Sequence, residues 1–235
     1  QPIQEASLIA QESGTLFHTD AVNAAGKIPI DLSSSKIDFL SISGHKFHAP
    51  KGIGALYVRT GAPYKPLLIG GNQEEGKRAG TEAVAQIVAL GKASELATER
   101  LNDQGQEKLS YLRDTLEQSL INNIKGTHRN GSSQFRLPNT SHLSFDNVEA
   151  GDLLILANDK GLCIASGSAC STGTREPSRI MKAMGHSDER ALSSVRLSVS
   201  SMNTENEIEE SSQIIISCVE KLRSLRSNGP VIFSS

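Results

Sequence analysis

Cysteine is scarce. The 235 residues hold three, an odd number with neither metal-ligand nor Cys-x-x-Cys spacing. That argues against a disulfide framework or a zinc site and for a reducing compartment, with at least one thiol left over for chemistry. Excess charge is lacking too: 24 Lys and Arg against 26 Asp and Glu leave a formal net charge of −2, so there is no basic surface of the kind a nucleic-acid binder needs. No apolar run approaches the roughly 20 residues that span a bilayer. DNA, RNA and membranes are therefore not indicated as partners. Gln1-Pro2-Ile3 carries neither an initiator Met nor a signal or transit pattern, and we expect the chain to begin inside a longer protein. Internal repeats and low-complexity segments are absent. A cytoplasmic location is expected, or an organellar one if an upstream segment carries a transit peptide.

What is present is ordinary apolar content, 37%, enough to bury a core in one large or two modest domains. Ile3, Ala6, Ile9 and Ala10 share one helical face, and Gly14 stands where a left-handed cap would. Residues 16–20 read as a strand. After punctuation around Gly26 and Pro29, residues 37–43 read as a second strand, apolar at Ile37, Phe39, Leu40 and Ile42 as buried sheet strands are. It gives out abruptly in Ser43-Gly44-His45-Lys46. A strand over 54–59 and an extended piece over 66–69 precede a glycine-rich loop, 70–81. From about residue 82, Val84, Ile87, Val88, Leu96 and Leu101, then Leu109, Leu112, Leu116 and Leu120, describe long helical character interrupted near Gly105. Beyond Gly126 the pattern is α+β. It comprises a strand over 142–145, a helix over 148–159 closed by Gly161, a Ser/Gly-rich stretch over 166–174, a short helix between Pro177 and Gly185, and a strand over 195–199. A capping box at Thr204-Glu205-Asn206-Glu207 opens a last helix that buries Ile208, Ile215, Val219 and Leu222. The domain expectation is 1–100, 101–228 and a frayed tail, 229–235.

Two residues stand out chemically. Lys46 sits where a buried strand ends, a position that partly desolvates an ammonium and favours Schiff-base chemistry. A lysine after a strand is more commonly a solvated loop residue. Asp20 ends the preceding strand, and adjacent parallel strand ends open onto one crevice. Its bland alternative is a turn former. His18, His45 and His48 make no ligand set with the cysteines, and no metal site is expected.

The strings His18-Thr19-Asp20-Ala21, Ser43-Gly44-His45-Lys46 with Pro50-Lys51-Gly52-Ile53-Gly54, and Arg78-Ala79-Gly80-Thr81-Glu82 resemble the signature of NifS/IscS-type cysteine desulfurases. The likeness continues through Ser166-Gly167-Ser168-Ala169-Cys170-Ser171-Thr172-Gly173, Glu176-Pro177-Ser178 and Val195-Arg196-Leu197-Ser198, in the family's order. The resemblance implies an α/β, fold-type I pyridoxal-phosphate enzyme of the class V aminotransferase family: the remainder of a mostly parallel-sheet large domain plus an α+β C-terminal small domain, lacking the N-terminal segment.

By that resemblance Lys46 would carry pyridoxal 5'-phosphate, Asp20 would pair with its ring nitrogen, and Ser43 would bind its phosphate. His45 would assist as an acid–base group. Asn23 stands where the family has a glutamine that contacts the phenolic oxygen. Thr81 would reach the phosphate in the partner subunit of a homodimer. Arg196 would grip the carboxylate of L-cysteine, a planar anion suited to a guanidinium; its bland alternative is a surface ion pair. Cys170 would take the sulfur as a persulfide and pass it to an iron–sulfur scaffold protein or another acceptor. Cys163 and Cys218 are expected to be core cysteines. Ala49, Asn72 and Glu75 depart from a usual glycine, glycine and arginine. A selenocysteine lyase or related fold-type I lyase, or a non-catalytic fragment, are the alternative readings.

Overall fold

The computed structural model describes residues 1–166 and 176–227. The chain divides after Gln106 into two compact units, Gln1–Gln106 and Glu107–Ser235. The first opens with helix α1 (Ile3–Glu12), ended by Gly14 at φ 64°. Strands β1 (His18–Asp20), β2 (Phe39–Ser43) and β3 (Gly54–Val58) form a sheet in that order. β1 and β2 are parallel, whereas β2 and β3 are antiparallel. The connections explain the difference. Residues 21–38 are long enough for the crossover that parallel pairing requires, and the shorter run 44–53 returns the chain alongside β2. The expected extended piece over 66–69 forms no strand.

Helix α2 (Val84–Asn102) forms as the periodicity predicts. Its buried positions are Ala93 and Ala97, packed with Ala25, Phe47 and Ala49; Val84, Ile87 and Val88 are exposed. Small residues let α2 approach the turn after β2 closely, so the helix supports that turn rather than filling a thick core.

The second unit begins within α3 (Gly105–Asn123). Strands β4 (Thr127–Arg129), β5 (Thr140–Phe145), β6 (Ala165–Ser166) and β7 (Ser194–Ser198) make a wholly antiparallel sheet of order β4-β5-β7-β6. Helices α4 (Ala150–Asp159), α5 (Arg179–Ala183), α6 (Asp188–Leu192) and α7 (Glu205–Ser227) complete it. β4, β6 and α6 are too short to show a period, and the sequence did not announce them. One sheet face, with Leu143, Phe145, Val195 and Leu197, packs on Leu112, Leu116 and Leu120 of α3, Leu153 of α4 and Ile215 and Val219 of α7. The predicted capping box is formed: the Thr204 N–H donates to Glu207 Oε2 at 2.8 Å, and the Glu207 N–H donates to Thr204 Oγ1 at 3.2 Å. Among the described residues no helix is long and apolar enough to cross a membrane.

Candidate active site

Parallel pairing of β1 with β2 brings their C-terminal ends to one edge of the sheet. Asp20 is the last residue of β1, in register with Ser41, and Ser43 is the last of β2. The Asp20 carboxylate is exposed and accepts a hydrogen bond from the Val22 N–H at 2.8 Å through Oδ1. The turn that tends to follow an aspartate thus fixes the side chain at the strand end. His18, on the same strand, shares a hydrogen bond of 2.8 Å with Ser41 across the pair.

A single 3-10 turn, Gly44–Phe47, follows β2 directly. Gly44 and Phe47 are buried, whereas His45 and Lys46 are exposed, so the turn is nailed down at its ends and presents its two middle side chains. Its packing is tight. A Cβ on Gly44 would lie 2.8 Å from the Ala49 Cβ and 3.0 Å from both Ile53 and Leu90 side chains. A Cβ on Gly26 would lie 2.7 Å from the Phe47 Cβ, and the φ of 73° there also favours glycine. The alanine at position 49, where the resemblance leads one to expect glycine, fills space against Gly44. His48 closes the turn in the left-handed region at φ 78°. Burial lowers the His48 pKa, with Arg100 and Lys27 adding to the effect.

Within the turn, Ser43 Oγ and His45 Nδ1 are hydrogen-bonded at 2.8 Å. Lys27, which the sequence did not single out, donates from Nζ to the Lys46 carbonyl at 3.1 Å. Its pKa is lowered first by burial and then by the nearby Lys46 charge. Asn23 is exposed in the turn after β1, and Thr81 is exposed just before α2. Glu75 pairs with Lys77 at 2.8 Å, both exposed. The first unit therefore gathers Asp20, Ser43, His45 and Lys46 at one sheet edge, with Asn23 on the segment leaving it.

In the second unit Arg196 lies in the middle of β7, between the buried Val195 and Leu197, and faces away from them as the alternation predicts. Its register partners are His142 on β5 and Ala165 on β6. His142 escaped the sequence reading because only the register reveals what it faces. Cys170 lies outside the described residues. Cys218 is buried in α7 as expected, and burial raises its pKa. Cys163, expected in the core, is exposed instead. The reason is alternation: Leu162 and Ile164 pack on the core, which turns the residue between them outward. No cluster of metal-ligating side chains occurs among the described residues.

A lysine, an aspartate, a serine and a histidine thus converge where parallel strands end, the edge at which open α/β sheets commonly receive ligands. The aminotransferase class-V family model matches residues 1–210, and the chain belongs to that family. It is 47% identical over 224 residues to cysteine desulfurase 2 of Trichormus variabilis, covering 95% of this chain and 56% of that protein. It is 43% identical over 234 residues to the cysteine desulfurase NifS of Azotobacter vinelandii, covering 98% and 58%. A solved NifS-like protein superposes with a TM-score of 0.84 at 34% identity, over 94% of this chain and 57% of that one. The fold is thus the fold-type I architecture of these relatives, and the chain spans a little over half of their length.

Proposed function

We propose that this protein is a pyridoxal-phosphate-dependent cysteine desulfurase, converting L-cysteine to L-alanine and retaining the sulfur as a persulfide on Cys170. The observation that carries the reading is the convergence of Asp20, Ser43, His45 and Lys46 on one sheet edge. That donor set fits the cofactor: an amine for its aldehyde, a carboxylate for its ring nitrogen, and a hydroxyl for its phosphate. One Asp20 oxygen is engaged by the Val22 N–H and the other has no partner among the described residues. When bound, pyridoxal phosphate supplies an electron sink that weakens bonds at the substrate Cα.

The protein's part is to bind, orient and move protons. Lys46 would hold the cofactor and would take and return the Cα proton, with His45 as a second proton carrier. Asp20 would keep the ring nitrogen protonated. Asn23 would contact the phenolic oxygen with a shorter amide than the glutamine that the resemblance implies. Arg196 binds the substrate carboxylate, for which a planar two-donor guanidinium is the apt partner. The Cys170 thiolate attacks the substrate sulfur, an S–S bond forms as the C–S bond breaks, and the substrate carbon receives a proton. Thr81 binds the cofactor phosphate of the other subunit in a homodimer. The sulfur passes to an iron–sulfur scaffold protein or another thiol acceptor, in the cytoplasm.

Incubation with pyridoxal phosphate, borohydride reduction and peptide mapping test the cofactor assignment. Label on Lys46, lost in Lys46→Ala, is the expected result. Label elsewhere, or none on a folded protein, overturns it.

A further inference from the structure

The antiparallel pairing of β5 with β7 sets His142 directly opposite Arg196. Residues so placed project from the same sheet face with Cβ atoms about 4.5–5.5 Å apart. Leu143, Phe145, Val195 and Leu197 occupy the core-facing side, so His142 and Arg196 share the other. Two side chains able to carry positive charge therefore share one face, and His186, in the connection between α5 and α6, lies near enough for its charge to act on His142.

Among the described residues neither His142 nor Arg196 forms an ion pair, and no acid is among the causes of the His142 shift. On the β4 side, the Asn130 N–H donates to the His142 carbonyl at 2.8 Å, and the Asn130 side chain is held by Arg190 at 2.8 Å and Ser194 at 3.0 Å. Arg190 is further occupied by the Arg129 carbonyl at 2.9 Å. On the β6 side the neighbour is the neutral Ala165. Of the acids on α6, Asp188 pairs with Lys182 at 3.1 Å, and Glu189 lines a separate cleft with His128 and Asp146. A cationic cluster without an acid is matched by an incoming anion.

We propose that His142 binds a proton in step with carboxylate binding at Arg196, making the affinity of this site for a small carboxylate rise as pH falls. The inference rests on the reading of Arg196 as the carboxylate-binding residue. In the free protein, burial, Arg196 and His186 all lower the His142 pKa, so the ring is neutral at neutral pH and Arg196 is the fixed cation. A bound carboxylate adds a negative charge beside the ring and raises that pKa again. Between the free and the bound pKa, each binding event takes up as much as one proton, which is at most about tenfold in affinity per pH unit. Above both values the affinity is flat. The physical device is a second cation that exists only when the anion is there to balance it, which spares the empty site the repulsion of two adjacent charges.

The test is an NMR titration of the full chain with propionate, a carboxylate with no amino group and no need of cofactor. The Arg196 Nε–H and the His142 ring are followed between pH 5.5 and 8. Propionate is expected to shift Arg196, to raise the His142 pKa, and to bind more tightly as pH falls. His142→Asn is expected to keep binding but lose the pH dependence; His142→Gln serves if the first variant loses its native spectrum. If propionate shifts Arg196 with the same affinity at every pH, or if the dependence survives in the His142 variants, the inference is overturned and the carboxylate site stands. If Arg196 does not respond at any pH, the reading of Arg196 falls, and the inference with it.

Discussion

The Lys27 ammonium donates a hydrogen bond to the Lys46 carbonyl oxygen at 3.1 Å, tying the turn that presents Lys46 to the segment that leaves β1. The contact fixes the backbone and not the Lys46 amine, so Lys27 acts as a positioning residue. A hydrogen bond of this kind contributes about 1 kcal/mol, or roughly fivefold in binding. Lys27→Met is expected to weaken pyridoxal phosphate uptake by about that factor in an absorbance titration. The borohydride label should stay on Lys46. An unchanged affinity would mean that burial of Phe47 alone holds the turn.

Gly44 and Ala49 make a second, steric test of the same turn. A Cβ at position 44 would come within 2.8 Å of the Ala49 Cβ. Overpacking of this sort costs about 1–3 kcal/mol. Gly44→Ala is expected to lower the melting temperature and impair cofactor uptake. Ala49→Gly in the same chain should restore part of both, because Ile53 and Leu90 still crowd the site at 3.0 Å. A double-mutant cycle measures that coupling; strict additivity would place the cost elsewhere.

The strand ends that carry Asp20 and Ser43 were legible in the sequence because they depend on local punctuation: an apolar-rich stretch that stops at Ser43, and an aspartate at a strand end. β1, β2 and β3 are shorter than expected but stand where the pattern placed them. What escaped depends on pairing between distant segments. Lys27 meets the Lys46 carbonyl only after the crossover is folded, and His142 meets Arg196 only through the β5–β7 register. The burial of α2 was misleading for another reason. Its large residues Val84, Ile87 and Val88 are exposed while Ala93 and Ala97 make the contacts, so hydrophobicity located the helix but not the face it packs.

Glu117 governs the acid stability of the second unit. Its carboxylate is 2% exposed and accepts hydrogen bonds from Arg136 at 2.6 Å and from Arg129 and Ser141. Burial alone would raise its pKa, but the bonds from Arg136, Ser141 and Arg129 outweigh burial and hold it at about 2. A depressed carboxylate stabilises above its ordinary pKa near 4.5, and that contribution is lost as pH falls toward 2. Glu117→Gln leaves Arg129 without its counter-charge and Arg136 with Asp114 alone, and is expected to cost about 3 kcal/mol at neutral pH, roughly 6–12 °C in melting temperature. The variant should also lack the wild-type decline between about pH 4.5 and 2 in thermal melts. A parallel decline in both proteins would assign the acid sensitivity to other groups.

Exposure alone does not choose the sulfur-carrying thiol, and the three cysteines separate the question cleanly. Cys218 is buried with a raised pKa, so iodoacetamide should modify it only after unfolding. Cys163 is exposed and should be alkylated in the native protein. If accessibility were sufficient, Cys163 would also collect sulfur when the cofactor-loaded protein is given L-cysteine. Nucleophilic capture demands more: a thiolate delivered to the substrate sulfur in line with the breaking C–S bond. We therefore expect mass spectrometry to find the persulfide on Cys170, abolished by Cys170→Ser and untouched by Cys163→Ser. Persulfide on Cys163 in a Cys170→Ser protein, formed at the wild-type rate, would move the acceptor role to the segment leading into β6 and remove Cys170 from the mechanism.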